Sequence, residues 1–179
     1  MKTADFDYKL PEELIAQTPS EPRDHSRLMI LDRINGGIKH RNFYDITEYL
    51  DCGDVLVFND SRVIPARMHG STVDRGSRVE LLLLSQISSN VWKTLVKPGR
   101  RMRKGAKFII NGTNGKQLIG RIREQHLDGS REVEFEADLN FEYFGSLPLP
   151  PYIHETTAPA ERYQTVYAEK DGSIAAPTA

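Results

Sequence analysis

The chain has 179 residues, 39% of them hydrophobic, enough for one large or two small domains with their own cores. Its 24 Lys and Arg against 25 Asp and Glu leave a formal net charge of -1, which excludes a globally basic nucleic-acid coat protein and confines nucleic-acid contact to local clusters. A single cysteine, Cys52, excludes an internal disulfide framework and suits a reducing cytosol, the first residues lack a signal-peptide core, and no apolar run approaches the ~18 residues that span a membrane.

In chain order, "LPEELIAQ" (10–17) places Pro11 at a first helical position with acids directly after it, which predicts a short helix. "SRLMILDR" (26–33) reads as a strand, the Asn35-Gly36-Gly37 turn follows, and "IKHRNF" is its hairpin partner. "DITEYL" gives a further short helix. "GDVLVFND" (53–60) is a continuous apolar run between turn residues, the pattern of a strand covered on both faces and central to a sheet. After Pro65 the chain becomes a series of β-rich segments separated by Gly, Asn and Asp turns: "RVELLLLSQ", "VWKTLV", "KFIING", "KQLIGRIREQ" and "SREVEFEA". Their close spacing predicts a small antiparallel β-barrel over 66–139, inserted into the surrounding domain. From "LPLPPYI" the chain is Pro-rich, and "ERYQTVYA" carries a helical turn.

The densest polar cluster beside an apolar strand is "NDSRVIPAR", with Asn59, Asp60, Ser61, Arg62 and Arg67. It follows the carboxyl end of "VLVF", where open α/β sheets place their ligands. The plain alternative is that Asn59 and Asp60 form an Asx turn while Arg62 pairs with a nearby acid. In "PSEPRDHSRL", Arg23 and Arg27 flank Asp24, an arrangement that can hold an anionic group, while Asp24 can instead orient a base or cap a turn. His25 as a general base stands against the commoner solvated loop histidine. His25, His40, His69, His126 and His154 make no metal-ligand spacing with one another or with Cys52, so no metal is expected. "KPGRRMRKGAK" gathers Lys97, Arg100, Arg101, Arg103, Lys104 and Lys107 without an acid, which suits RNA phosphates, with a solvated hairpin tip as the alternative. Tyr152, Tyr163 and Tyr167 can stack on a base or pack in a core.

Taken in order, "DFDYKLPEELIAQTP", "RDHSRLMILDR", "GDVLVFNDSRVIPAR", "LPLPPYI", "RYQTVYA" and "GSIAAPTA" closely resemble the S-adenosylmethionine:tRNA ribosyltransferase-isomerase family of queuosine biosynthesis over nearly the whole chain. Ser61 stands where the family often has Thr, and Ile174 where it often has Val. The family continues after "AAPTA" into a Gly-Leu-His-Phe-Thr motif and a second part, so the resemblance implies an N-terminal portion whose catalytic domain is incomplete at its C-terminus.

The resemblance implies an α/β domain with a mixed sheet, residues 1–65 plus 140–179, interrupted by the barrel of 66–139. It implies an enzyme that transfers and isomerises the ribosyl part of S-adenosylmethionine, a co-substrate here, onto 7-aminomethyl-7-deazaguanine at the tRNA wobble position. Epoxyqueuosine forms, and adenine and methionine leave. Asp60 and Asp24 are then the candidate carboxylates for a base or for pairing with the sulfonium. Arg23, Arg27, Arg62 and Arg67 are candidates for the methionine carboxylate or tRNA phosphates. Asn59, Ser61, Tyr152 and Arg162 line the substrate, while Tyr163 or Tyr167 stacks on the modified base and Gln164 meets its edge. A cytoplasmic monomer with no membrane association is expected. The rival readings are a non-catalytic RNA-binding barrel and an inactive fragment that exposes a sheet edge.

Overall fold

The computed structural model describes residues 1–154 and 157–175, so the "APTA" end of the last resembling stretch lies outside them. The chain divides into two units, 1–58 with 150–162 and 59–149 with 163–179.

In the first unit, β1 (Arg27–Leu31) and β2 (Ile38–Asn42) form the expected antiparallel hairpin, with Leu31 opposite Ile38. Its loop closes because the Asp32 carboxylate accepts the backbone N–H groups of Ile34 and Asn35 and the Asn35 amide, which holds that carboxyl below its usual range, while Gly36 supplies φ 73°. The expected helices are single 3-10 turns or short runs of them, at Glu12–Leu14 behind Pro11 and at Phe43–Tyr49. Segments this short do not offset the cost of nucleating an α-helix without packing, and neither run has a buried residue.

One expectation fails. Residues 54–60 form no strand, and Val55 and Val57 are 86% and 79% exposed. An apolar run is stabilised as a strand by ladder partners on its edges and cover on its faces, and neither is present among the described residues. Pairing begins one step later, at β3 (Ser61–Val63) in the second unit, which lies parallel to β10 (Lys170–Ser173).

The rest of the second unit is a closed antiparallel barrel of six strands: β4 (Arg67–Thr72), β5 (Arg78–Ser88), β6 (Val91–Lys97), β7 (Lys107–Asn111), β8 (Gln117–Gln125) and β9 (Arg131–Phe135). The order around it is β4-β5-β6-β9-β8-β7, which leaves no free edge in the ring. Alternate residues point inward, as in Val79, Leu81 and Leu83 of β5 or Phe108 and Ile110 of β7, and every buried hydrophobic side chain of the described residues falls between Val63 and Phe135. Gly120 of β8 sits opposite Phe108, whose ring occupies the space a Cβ would need, at 2.5 Å. Helix α1 (Phe141–Phe144), capped by Asn140, lays Phe141 edge-on against Trp92 at 5.7 Å. No helix of the described residues is long and apolar enough to cross a membrane.

Within the barrel, Arg131 is only 5% exposed and forms no ion pair among the described residues. Its guanidinium instead donates to the carbonyls of Met102 (3.0 Å), Gly129 (2.7 Å), Ser130 (3.0 Å) and Gly99 (3.5 Å). Two of these belong to the loop between β6 and β7, and Met102 itself is fully buried.

Replacing Arg131 with Met should destabilise the protein by about 2–4 kcal/mol in chemical denaturation, because the carbonyls of the buried Met102 and Ser130 lose this donor. Arg131→Lys should recover only part of this, since an ammonium cannot span the four acceptors. Gly120→Ala should cost about 1–3 kcal/mol by overpacking against Phe108.

Candidate functional site

In the second unit, the polar cluster is built where the chain enters β3. Asn59 Oδ1 accepts the N–H of Ser61 at 2.8 Å, the Asx turn that the sequence allowed. The Asp60 carbonyl accepts the N–H groups of Glu169 and Lys170 at 2.8 and 3.1 Å, and the Asp60 carboxylate lies 2.8 Å from Lys170 Nζ. The hydrogen bond and charge of Lys170 hold the Asp60 carboxyl below the usual carboxylate range, and Asp60 in return raises the Lys170 ammonium. Both side chains are partly exposed, so the pair meets solvent. Arg62 follows in β3 opposite Asp171.

Gln164 is buried, and its amide closes a two-way clamp on one residue: the Val63 N–H donates to Oε1 and Nε2 donates to the Val63 carbonyl, both at 2.8 Å. That pairing fixes which end of the amide is which. In this structure Gln164 positions β3. Tyr163 and Tyr167 flank this segment, half-buried and 40% exposed respectively. Arg67 starts β4, where its Nε is 3.4 Å from Glu80 Oε1, an ion pair without hydrogen-bond geometry that leaves the buried Nε otherwise unsatisfied.

In the first unit, Arg23, Asp24 and His25 occupy one 3-10 turn, with Arg27 opening β1. The Arg23 guanidinium donates to the Arg162 carbonyl at 3.4 Å. The Arg162 guanidinium donates to the Ser20 carbonyl and lies 3.1 Å from Glu21 Oε2. His25 packs edge-on against Tyr44 at 5.2 Å. Tyr152 is exposed, and its loop is held by Gln17, which donates to the Tyr152 carbonyl (2.9 Å) and accepts the His154 N–H (2.8 Å).

The basic stretch leaves β6 at Lys97, forms the loop carrying Arg100, Arg101, Arg103 and Lys104, and enters β7 at Lys107. Lys104 pairs with Glu124 at 2.6 Å, which lowers the Glu124 carboxyl. The structure therefore gathers Asn59, Asp60, Ser61 and Arg62 with the 163–170 segment, gathers Arg23 with Arg162, and leaves the barrel cations as a set of their own. Lys170, Glu21 and Gln17 were not foreseen. No group of three or more His, Cys, Asp and Glu converges among the described residues.

A family model described as "Queuosine biosynthesis protein" matches residues 3–179. Over the whole chain, the sequence is 54% identical to the S-adenosylmethionine:tRNA ribosyltransferase-isomerase of Thermosipho africanus (strain TCF52B) and 50% identical to that of Desulforamulus reducens (strain ATCC BAA-1160 / DSM 100696 / MI-1), covering 52% and 53% of those proteins. The chain thus spans about half the length of these curated relatives. It is also similar to the crystal structure of S-adenosylmethionine tRNA ribosyltransferase from Thermotoga maritima, with 43% identity, 74% of this chain and 44% of that chain covered, and a TM-score of 0.35. With a family match that runs almost from end to end and identities of 50% and above, the chain belongs to the queuosine biosynthesis protein family of tRNA ribosyltransferase-isomerases.

Proposed function

We propose that the chain works as part of an enzyme that transfers and isomerises the ribosyl unit of S-adenosylmethionine onto 7-aminomethyl-7-deazaguanine at the tRNA wobble position, yielding epoxyqueuosine and releasing adenine and methionine. The observation that carries this reading is the identity of 50–54% to relatives of that name over all of this chain. S-adenosylmethionine is a consumed co-substrate, no metal is invoked, and the reaction takes place in the cytoplasm. The domain reading that goes with it is an α/β catalytic part interrupted by the barrel.

The electrostatics of Asp60 support one of its two candidate roles over the other. A general base works best with a pKa near the working pH. A carboxyl held low by Lys170 is a weak base, but it stays ionised and can stabilise a sulfonium cation. Arg62 beside it is suited to the methionine carboxylate by its planar fork. Asp24, between Arg23 and Arg27 in the first unit, is the remaining candidate for the base.

Three outcomes test this. Adenine should be released from S-adenosylmethionine only when tRNA carrying the 7-aminomethyl-7-deazaguanine base is present, and release that ignores the modified tRNA, or no release, overturns the reading for this chain. Asp60→Asn should reduce the rate at least about 100-fold while tRNA affinity changes little, since a transition-state charge is lost and no phosphate contact is. Lys170→Met removes the group that depresses the Asp60 pKa. Because a depressed carboxyl loses its charge only as pH falls through the folded-state value, the acid limb of the rate profile should move to higher pH in this variant.

A further inference from the structure

A cleft of about 540 Å³ lies on the barrel, lined on one side by the β4–β5 turn with Arg75 and on the other by the β6–β7 loop with Arg100, Arg101, Arg103 and Lys107. That size is within the ~300–1,000 Å³ of ligand-binding clefts. The five cations face one acid, Asp74, which accepts a hydrogen bond from the Thr72 side chain and lies 3.7 Å from Arg75 Nε. Arg100, Arg101, Arg103 and Lys107 form no ion pair among the described residues. In a chain of net charge -1, four uncompensated cations in one concavity are an anion site.

The loop that presents them is fixed from beneath. Arg131 holds the carbonyls of Gly99 and Met102, Met102 is fully buried, and Arg103 Nε donates to the Arg100 carbonyl at 3.2 Å. The opposite wall is tied to the same strand, since the Val73 N–H donates to the Lys107 carbonyl at 3.1 Å. The backbone that carries these mutually repelling cations is thereby held in place before any ligand arrives, which removes part of the ordering cost from binding. The cleft has no aromatic, Asn or Gln side chain in its lining, so it lacks aromatic stacking platforms and amide readers, and its dominant feature is cationic charge suited to phosphates.

We propose that this cleft is a docking groove for the sugar-phosphate backbone of RNA, with Arg75 as a member of the site that the basic loop alone does not reveal. It rests on the reading of the substrate as a tRNA, and it assigns the groove to affinity and placement, independent of sequence and of the modified base.

The test is binding of an unmodified tRNA transcript across a salt series. Arg75→Ala and Arg101→Ala should each weaken binding about 5-fold, and each should lower the slope of log K against log salt by about 1. Lys93→Ala, which removes a barrel cation that does not line the cleft and pairs with Asp128 at 2.9 Å, should change neither. Wild-type affinity and slope in the Arg75→Ala/Arg101→Ala double variant overturn the groove, as does equal affinity for polyglutamate of matched charge. Adenine release from modified tRNA, measured in parallel at saturating tRNA, separates the two readings. Weakened binding with release intact supports both, whereas weakened binding by a chain that never releases adenine supports the groove and defeats the enzymatic reading.

Discussion

A guanidinium buried without a carboxylate organises the second unit. Taking a charge out of water is costly, and here the cost is offset only by the fork of Arg131 reaching four backbone carbonyls. The carbonyls come from both sides, Gly99 and Met102 before β7 and Gly129 and Ser130 before β9, so one side chain stitches two loops of the barrel together. The loop it holds carries Arg100, Arg101, Arg103 and Lys104, which repel one another and would otherwise splay into solvent. Lys104 is relieved by Glu124, and the remaining three depend on the anchor beneath them. Lysine could not replace Arg131, because the role depends on planar, divergent donors rather than on charge.

A second long-range tie builds the Asp60 cluster. Strand β3 has three residues, too few to persist alone, and two supports come from the same later segment: the β10 ladder and the Gln164 amide on Val63. Asp60 is joined to that segment at both main chain and side chain, through its carbonyl and through Lys170. Val63 and Gln164 lie 101 positions apart, with the whole barrel between them in the sequence.

What was legible in the sequence follows from how local each signal is. Strands β5 to β9 were readable because they alternate apolar and polar residues between turn-forming residues, and the β1–β2 hairpin because Asn35 and Gly36 mark its turn. Strand β4 escaped because Gly70 and its polar neighbours look unlike a strand. Gly70 is there because a Cβ would meet the Ile109 carbonyl at 2.1 Å, a requirement set by the partner strand. The apolar run at 55–58 was over-read, since composition reports what a segment needs and not whether ladder partners exist for it. Asn59 and Asp60 were visible as a cluster, but Lys170, Gln164 as a clamp and Gln17 as a loop holder were not. Each acts across roughly a hundred residues through a single hydrogen-bonded group that leaves no periodic trace.

The pairing of Asp60 with Lys170 also meets a conflict built into the proposed chemistry. A protein that handles both a polyanionic RNA and a sulfonium cation needs a negative charge for the second that does not repel the first. An isolated carboxylate fails this requirement, because its field extends over a Debye length of ~8 Å at physiological salt. A carboxylate joined to an ammonium at 2.8 Å is nearly neutral at the distance of a phosphate, yet its oxygens remain ionised for a cation that touches them. In the proposed groove the barrel supplies the complementary half, collecting arginines in one concavity where their charge attracts phosphates. A net charge of -1 therefore conceals two opposed fields: one neutralised at long range so that it acts only on contact, the other left uncompensated so that it acts at a distance.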